Sequence, residues 1–398
     1  MTMTTAREIY TPDFLSGDEV SIPTYRVLTR DGSLFEGAEG PALERDKARR
    51  IYQAMIATRV LDERMMASQR QGRLSFYMQC TGEEAAVVGA TAALDDADMI
   101  MAQYREQGAL VYRGFTFDEF MNQLFGNALD YGKGRQMPVH YGSRKLHYLT
   151  ISSPLATQIP QAAGYAYGQK LAGDALCTLV FFGEGAASEG DFHAGLNMAA
   201  VHEAPVIFFC RNNGYAISTP ASEQYAGDGI APRAFGYGMR VIRVDGNDLL
   251  AVYRATQDAR RIALEQSKPV LIEAMTYRLA AHSSSDDPSG YRSKKEEEIW
   301  REKDPVLRYR AWLIAQGWWG DDEEKALQES LRREVLETLK RAEKRPPPPL
   351  ESLVTDVYAE VTPALQRQLE ALTDHIRRYP EAYPRGARSL DGKSQGDV

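Results

Sequence analysis

The hydrophobic pattern in the middle of the chain predicts parallel strands that are buried on both faces. Residues 175–182 form a continuous apolar run that breaks at a Gly-Glu-Gly turn, and residues 205–210 repeat such a run. A helical pattern at 189–202 joins them into a β-α-β unit. Three further segments continue the alternation: strand 239–244, helix 249–266 and strand 270–276. This order predicts an α/β fold with a parallel sheet flanked by helices.

The regions on either side of this centre are predicted to be helical or irregular. Helical patterns at 44–71, 83–94 and 117–129 precede it, with a short strand at 99–102. The residues after 281 form a polar loop and then more helices. We therefore predict four parts: an extended N-terminal arm at 1–43, an α/β domain at 44–300, a C-terminal helical extension at 301–385 and a disordered tail at 386–398.

Composition and charge exclude several classes of protein. The chain has 398 residues, a hydrophobic fraction of 43% and a formal net charge of −8. This acidic balance argues against a nucleic-acid or anionic-membrane partner. The three cysteines (Cys80, Cys177 and Cys210) are too widely spaced for a disulfide framework or a zinc ribbon. With no long apolar run and no targeting pattern in the first 18 residues, we predict a soluble cytoplasmic protein.

Three polar clusters follow predicted strands, where ligands of parallel sheets usually bind. They are residues 104–105, 183–186 and 211–215. Glu184 offers a carboxylate and Asn213 an amide oxygen, and Mg²⁺ prefers such ligands together with diphosphate oxygens. Arg105 and Arg211 could neutralise the same diphosphate.

A nicotinamide dinucleotide site is the main alternative for the Gly-Glu-Gly turn. It is disfavoured because Ser188 stands where that fingerprint requires glycine, and because the second strand ends in Arg-Asn-Asn rather than a ribose-binding acid. A glycine pair alone would more often be only a tight turn. The combination of Gly-Glu-Gly, the interval 186–211 and Asn-Asn is far more specific.

This combination resembles the thiamin-diphosphate motif Gly-Asp-Gly…Asn-Asn, with Glu184 in place of the aspartate. Three further stretches add to the resemblance: Gly-Arg-Leu-Ser-Phe-Tyr-Met at 72–78, Lys-Gly-Arg-Gln-Met-Pro-Val-His-Tyr at 133–141 and Ser-Ser-Pro-Leu-Ala-Thr-Gln at 152–158. From about residue 20 to residue 385, the chain resembles the α subunits of branched-chain 2-oxoacid dehydrogenase E1 components.

The resemblance implies a thiamin-diphosphate-binding fold, a cofactor of thiamin diphosphate with Mg²⁺, and K⁺ as a further ion. The implied activity is decarboxylation of branched 2-oxoacids such as 2-oxoisovalerate, followed by reductive acylation of the lipoyl group of an E2 acyltransferase. Only one α/β half is found in the chain, so the implied partner is an E1 β subunit in an α₂β₂ heterotetramer. The α subunits of pyruvate and acetoin dehydrogenases are the nearest alternative; a non-catalytic scaffold and an NAD-dependent dehydrogenase are more distant ones.

The resemblance also implies roles for single residues. Mg²⁺ is expected at Glu184, Asn213 and the backbone oxygen of Tyr215. The cofactor is expected against Tyr104, Arg105, Ser153, Leu155, Gly185, Ala186, Arg211 and His282. A K⁺ loop is expected at Ser152, Pro154, Thr157 and Gln158, and the substrate pocket at Phe76, Tyr104 and Leu155. His282 is the expected catalytic residue, as a proton donor and charge stabiliser.

Plainer interpretations stand beside these roles. His282 could be an ordinary loop histidine, although its place between a buried strand and a polar loop favours function. Ser152, Thr157 and Gln158 could cap a helix instead of binding an ion. His193 and His202 are expected to be structural, and His140 is left open. Ser283 and Ser293 match positions that are phosphorylated in mitochondrial relatives, and for this chain we favour plain loop serines.

Overall fold

A six-stranded, wholly parallel sheet forms the centre of the molecule. The computed structural model describes residues 8–17 and 20–383. Eight strands are found there: β1 Thr24–Tyr25, β2 Met99–Met101, β3 Thr178–Gly183, β4 Val206–Asn212, β5 Tyr215–Ala216, β6 Thr219–Pro220, β7 Arg240–Asp245 and β8 Val270–Met275. The sheet has the order β1-β7-β8-β4-β3-β2, while β5 and β6 form a separate antiparallel pair.

Helices cover both faces of this sheet. In the described residues they are α1 Arg45–Arg70, α2 Glu84–Ala92, α3 Gln107–Arg113, α4 Phe117–Phe125, α5 Gln158–Ala172, α6 Gly190–Val201, α7 Ala221–Gln224, α8 Leu249–Gln266, α9 Lys294–Arg301, α10 Pro305–Ala315, α11 Asp321–Lys344, α12 Ser352–Thr355 and α13 Pro363–Arg378. The predicted α/β fold is confirmed.

The apolar run of β3 fills two separate hydrophobic cores. Leu179 and Phe181 join the core under α1, α2 and α8, whereas Val180 and Phe182 join the core under α5 and α6. All four side chains are fully buried. A strand with helices on both faces needs apolar side chains at every position, which explains the continuous run in the sequence.

The register aligns the carboxyl ends of the central strands. Gly183 at the end of β3 pairs with Arg211, and Asn212 at the end of β4 pairs with Met275 at the end of β8. The turns that follow these strands therefore leave the sheet at the same height. This alignment brings together residues that are far apart in the sequence.

Some segments differ from the sequence-based expectations. The predicted helix at 117–129 ends at Gly126, which has a left-handed conformation (φ +58°) that favours glycine. Helices α3 and α5 were not predicted. α5 contains Pro160 in its first turn, where the missing N–H costs little, and two glycines that hide the helical pattern.

The predicted N-terminal arm is partly built into the α/β unit. Its residues Thr24–Tyr25 form β1 and pair with β7. The buried carboxylate of Asp248 accepts hydrogen bonds from the backbone N–H groups of Val27 and Leu28 at 2.7 and 2.6 Å. The division into four parts stays a prediction, and the tail at 386–398 lies outside the described residues. None of the described helices is both long and apolar enough to cross a membrane.

Candidate active site

The carboxyl ends of four neighbouring strands surround a cavity of about 150 Å³. The strands are β2, β3, β4 and β8. Gln103 follows β2 and links it to the end of β3, because Oε1 of Gln103 accepts a hydrogen bond from the N–H of Gly183 at 3.0 Å. Ten of the residues predicted from the sequence line the cavity: Tyr104, Arg105, Leu155, Glu184, Gly185, Ala186, Arg211, Asn213, Tyr215 and His282. The roles of these residues stay predictions, but their meeting in one place is a structural fact.

Oxygen atoms cluster where the turns after β3 and β4 meet. Glu184 is 1% exposed, and its Oε2 accepts a hydrogen bond from the backbone N–H of Asn213 at 3.2 Å. Oδ1 of Asn213 accepts in turn from the N–H of Tyr215 at 3.2 Å. Burial raises the pKa of the Glu184 carboxyl, against backbone hydrogen bonds that lower it. A bound cation would oppose this shift, since it favours the ionised carboxylate.

The donor set limits which ion could bind here. Within residues 8–17 and 20–383, no three His, Cys, Asp or Glu side chains converge on a point that could hold a metal. A metal at Glu184 would need neutral oxygens from the protein and further oxygens from a ligand. This is how Mg²⁺ is usually held beside substrate or cofactor phosphates.

Three buried arginines supply positive charge to the cavity. Arg105 and Arg211 are each 2% exposed, and Arg278, which the sequence analysis did not select, is 1% exposed. The Nε atoms of Arg211 and Arg278 are buried without a hydrogen-bond partner among the described residues. Donors of this kind in a cavity wall fit the oxygens of an anionic ligand.

Two buried carboxylates behind the wall compensate these arginines, and the sequence analysis missed both. Glu83 and Glu106 are fully buried. Glu83 pairs with Nη1 of Arg211, and Oε1 of Glu106 lies 2.5 Å from Nη2 of the same guanidinium. Charged partners on both sides raise the pKa of Arg211 despite its burial. The available signal was an acidic residue at the start of the almost wholly apolar segment 84–92, where an exposed acid would be unusual.

His282 is held as a neutral imidazole. Burial lowers its pKa to about 4, and the positive charges of Arg105 and Arg278 add to the effect. Nδ1 lies 3.3 Å from Nη1 of Arg278 and 3.5 Å from Nη2 of Arg105. Arginine nitrogens only donate, so Nδ1 accepts and the proton resides on Nε2. The ring also meets Tyr104 edge to face at a centroid distance of 6.0 Å.

The family model for the dehydrogenase E1 component matches residues 52–351. The chain belongs to this family. It is 52% identical over 378 residues to 2-oxoisovalerate dehydrogenase subunit alpha, mitochondrial, of Homo sapiens, an alignment that covers 95% of this chain and 84% of the relative. The corresponding protein of Dictyostelium discoideum is 51% identical over 365 residues, covering 91% and 83% of the two chains.

A plant relative extends the comparison. The 2-oxoisovalerate dehydrogenase subunit alpha 1, mitochondrial, of Arabidopsis thaliana is 49% identical over 366 residues, covering 92% of this chain and 78% of the relative. The recognition of an E1 α subunit from sequence motifs is therefore confirmed. The names of these relatives also favour the branched-chain assignment over the pyruvate and acetoin alternative.

The predicted cytoplasmic location is wrong in the light of the same comparisons. The relatives from animals, a slime mould and a plant are all named as mitochondrial proteins. The prediction was based on the residues at the start of the chain.

Ser153 and Phe76, which were predicted to contact the cofactor and the substrate, do not line the cavity. The hydroxyl of Ser153 donates a hydrogen bond to Nε2 of His140 at 2.7 Å, because Nδ1 of that imidazole is engaged with the backbone oxygen of Pro138 at 3.0 Å. His140 therefore holds the Ser153 hydroxyl in place, and a functional role for this histidine stays open. Phe76 is partly buried and packs against the hydrophobic core. Its place in a substrate pocket stays a prediction.

The predicted K⁺ loop precedes α5. Ser152 and Pro154 are exposed, and the hydroxyl of Thr157 donates to the backbone oxygen of Pro154 at 3.2 Å. Nε2 of Gln158 donates to the backbone oxygen of Phe181 at 3.0 Å. The Thr157 hydroxyl thus bonds back into the loop instead of capping the helix. The loop brings two candidate oxygen ligands within 3.2 Å of each other, and ion binding there stays a prediction.

Proposed function

We propose that this chain is the α subunit of a branched-chain 2-oxoacid dehydrogenase E1 component. It decarboxylates 2-oxoisovalerate and its homologues and transfers the acyl group to the lipoyl group of an E2 acyltransferase. The observation that carries the proposal is the cavity in which Glu184 and Asn213 meet buried arginines at the carboxyl ends of β3 and β4. The names of the relatives favour this substrate class over pyruvate or acetoin.

Thiamin diphosphate, the cofactor of the E1 family, fits the residues that line the cavity. The unpartnered Nε atoms of Arg211 and Arg278 are suited to diphosphate oxygens. Gly185 lets the turn after β3 pack closely against Ala216, since a Cβ at position 185 would lie 2.7 Å from Cβ of Ala216. When bound, thiamin diphosphate would supply a nucleophilic ring carbon and an electron sink for the loss of CO₂.

Mg²⁺ would bridge the protein and the diphosphate. Glu184 would contribute its carboxylate, Asn213 its Oδ1 and Tyr215 its backbone oxygen. The hydrogen bonds between these three residues hold them together before any ion binds. A preformed set of oxygens with one charge suits an ion that takes its remaining ligands from phosphate and water.

His282 would hold and move a proton at Nε2. The two arginines that keep its Nδ1 unprotonated fix the tautomer in which Nε2 carries the proton. His282 can therefore donate a hydrogen bond from Nε2 to the substrate or receive the proton back at that atom. The lowered pKa favours a neutral imidazole in the predicted role of proton donor and charge stabiliser.

The substrate side chain would contact apolar groups beside His282. Tyr104 and Leu155 line the cavity, and Leu155 is still 41% exposed. We assign Phe76, which is partly buried against the hydrophobic core, to the same pocket. The Ser152–Gln158 loop carries Leu155, so K⁺ bound at Ser152, Pro154, Thr157 and Gln158 would stabilise the wall of the pocket.

A second subunit would complete the site. Thiamin-diphosphate enzymes need a glutamate that activates the aminopyrimidine ring, and we assign it to an E1 β subunit in an α₂β₂ heterotetramer. Exposed apolar side chains on α5 and α6 support a protein partner: Tyr165, Leu171, Met198 and Val201. We expect neither nucleic acid nor a membrane among the partners.

The substrate assignment is tested by steady-state kinetics of the complex co-expressed with its β subunit. Decarboxylation is followed with an artificial electron acceptor, thiamin diphosphate and Mg²⁺. The proposal predicts a higher kcat/KM for 2-oxoisovalerate than for pyruvate, by a factor of about ten or more for the extra methyl groups. A preference for pyruvate would keep the chemistry and contradict the branched-chain assignment.

A further inference from the structure

One buried carboxylate contacts three of the residues that line the cavity. Glu83 is fully buried at the start of α2. Its Oε1 accepts a hydrogen bond from Nδ2 of Asn213 at 3.1 Å and lies 3.8 Å from Nε of Arg105, while Oε2 pairs with Nη1 of Arg211. Glu83 itself is set behind the wall, so it acts through these neighbours.

Gly82 brings this carboxylate to the end of β8. It has φ +99°, and a Cβ at this position would collide with the backbone oxygen of Tyr277. Only glycine allows so close an approach. The start of α2 is therefore fixed against the strand end that leads to His282, and Glu83 has little freedom to move away from the arginines.

The hydrogen bond to Glu83 decides which way the amide of Asn213 faces. A carboxylate only accepts hydrogen bonds, so the NH₂ group of Asn213 must point to Glu83 and Oδ1 must point away. Oδ1 is the atom that the metal would need, and it is steadied by the N–H of Tyr215 at 3.2 Å. A reversed amide would place Oδ1 against the carboxylate and present two N–H donors to the cation.

The same carboxylate keeps the two arginines in place before an anion arrives. A buried guanidinium without a counter-charge is costly, and its side chain tends to leave the site. Glu83 pairs with Arg211 from one side, and Glu106 pairs with it from the other. Arg105 is held by Glu83 and by the backbone oxygen of His282 at 2.8 Å.

We propose that Glu83 is a positioning residue of the metal–diphosphate site, which orients the Asn213 amide toward Mg²⁺ and holds Arg105 and Arg211 in the cavity wall. This inference rests on the proposed function. Replacing Glu83 should therefore weaken the binding of Mg²⁺ and cofactor more than it lowers the turnover rate at saturating concentrations of both.

The test compares Glu83→Met, Glu83→Gln and the matched control Glu84→Gln in the complex with its β subunit. Glutamine keeps an oxygen that can accept from Asn213, whereas methionine does not. Glu84 is also buried and lies in the same turn, but it bonds to Arg59 and to the N–H of Gly82 instead of the site. Thiamin diphosphate binding is measured by calorimetry as the concentration of MgCl₂ is varied.

The half-saturating Mg²⁺ concentration is expected to rise at least about tenfold in Glu83→Met. This factor corresponds to the loss of one hydrogen bond to a charged group. It should stay within about threefold of the wild type in Glu83→Gln and should not change in Glu84→Gln. A purely structural role for Glu83 would lower the yield or Tm of the variant without moving this concentration. That result would overturn the inference.

A second pair of variants covers the case in which Glu83→Met does not fold. Asn213→Asp places a carboxylate against Glu83, and Glu83→Gln should relieve this repulsion. The double variant is therefore expected to bind Mg²⁺ and cofactor better than Asn213→Asp alone, and additive effects would overturn the inference. A wild-type complex that binds no thiamin diphosphate would instead contradict the proposed function itself.

Discussion

Nδ1 of the His282 imidazole lies 3.3 Å from Nη1 of Arg278, a positively charged neighbour. Arg278 is fixed in this position by hydrogen bonds to the backbone oxygen of Ile217 at 2.7 Å and to the hydroxyl of Tyr291 at 3.0 Å. The cationic partner has the opposite effect to the carboxylate that often accompanies a catalytic histidine. Burial lowers the pKa of His282 most, and the positive charges of Arg105 and Arg278 lower it further, so the imidazole is neutral at physiological pH.

The first prediction concerns the charge of His282. Its pKa of about 4 lies below the ordinary value of 6.5, so between these two pH values the unfolded chain binds a proton that the folded chain does not. His282 therefore lowers stability as the pH falls from 6.5 toward 4. The chain has six histidines, and ¹⁵N-histidine NMR with His282→Gln as the assignment control should show one ring that stays an Nε2–H tautomer at pH 6. If the ring assigned to His282 titrates near pH 6.5, the prediction is contradicted.

The second prediction concerns Arg278. Replacing it with methionine removes the nearest positive charge, so the pKa of His282 should rise toward its ordinary value. Arg278→Lys keeps the charge and should have the smaller effect. The same NMR titration measures both variants. Adding inorganic pyrophosphate to the wild type should also raise the pKa, because an anion near the arginines favours the imidazolium; an unchanged value in both experiments would refute the electrostatic explanation.

The third prediction concerns the turn after β3. A Cβ at Gly185 would lie 2.7 Å from Cβ of Ala216, so Gly185→Ala should displace the turn that carries Asn213 and Tyr215. Overpacking of this kind costs about 1–3 kcal/mol, and thiamin diphosphate should bind about tenfold more weakly or worse. Gly190→Ala is the matched control, since a Cβ there meets open space. Calorimetry of cofactor binding should separate the two, and equal affinities would show that the turn tolerates the shift.

The fourth prediction concerns Asp62 on α1. It is fully buried and accepts hydrogen bonds from the hydroxyl of Tyr77 at 2.8 Å and the N–H of Cys80 at 2.6 Å. Burial raises its pKa from 3.8 to about 7. The unfolded chain therefore loses the Asp62 proton first, and the contribution of Asp62 to stability should decline as the pH rises from 4 to 7, opposite in sign to that of His282.

Asp62→Asn removes this titrating group while keeping the size of the side chain. The slope of Tm against pH between 4 and 7 should be less negative in the variant than in the wild type. Asp62 also supports the site, since the backbone oxygen of Gln79 in the adjacent segment accepts from Arg105. Parallel Tm curves for the two proteins would show that Asp62 is ionised across this range.

The fold was largely predictable because the central strands are covered on both faces. Such strands must be apolar throughout, and the runs at 175–182 and 205–210 stand out from the rest of the chain. The residues that follow them, Glu184 and Asn213, were then predictable as neighbours from the parallel order alone. β1 has only two residues, too few to show the hydrophobic pattern of a strand. The N-terminal segment was therefore expected to lie apart from the sheet.

The supporting residues of the site could not be predicted in the same way. In the sequence, Glu83 and Glu106 resemble ordinary surface acids at helix starts. Their burial follows only from the packing of α2 and α3 against each other and against α1. Arg278 lies just beyond β8 in a segment with no motif. Long-range ion pairs depend on tertiary structure, so the sequence offered only one signal for them, the acidic residues beside the apolar segment 84–92.

The most direct measurement is 2-oxoisovalerate decarboxylation by this chain with and without its β subunit, thiamin diphosphate and Mg²⁺. Our interpretation predicts turnover only when all three are present, because the chain supplies the metal–diphosphate half of a divided site. Turnover by the isolated chain, or turnover without thiamin diphosphate, would contradict the divided site. No turnover by the complete complex would contradict the proposed function.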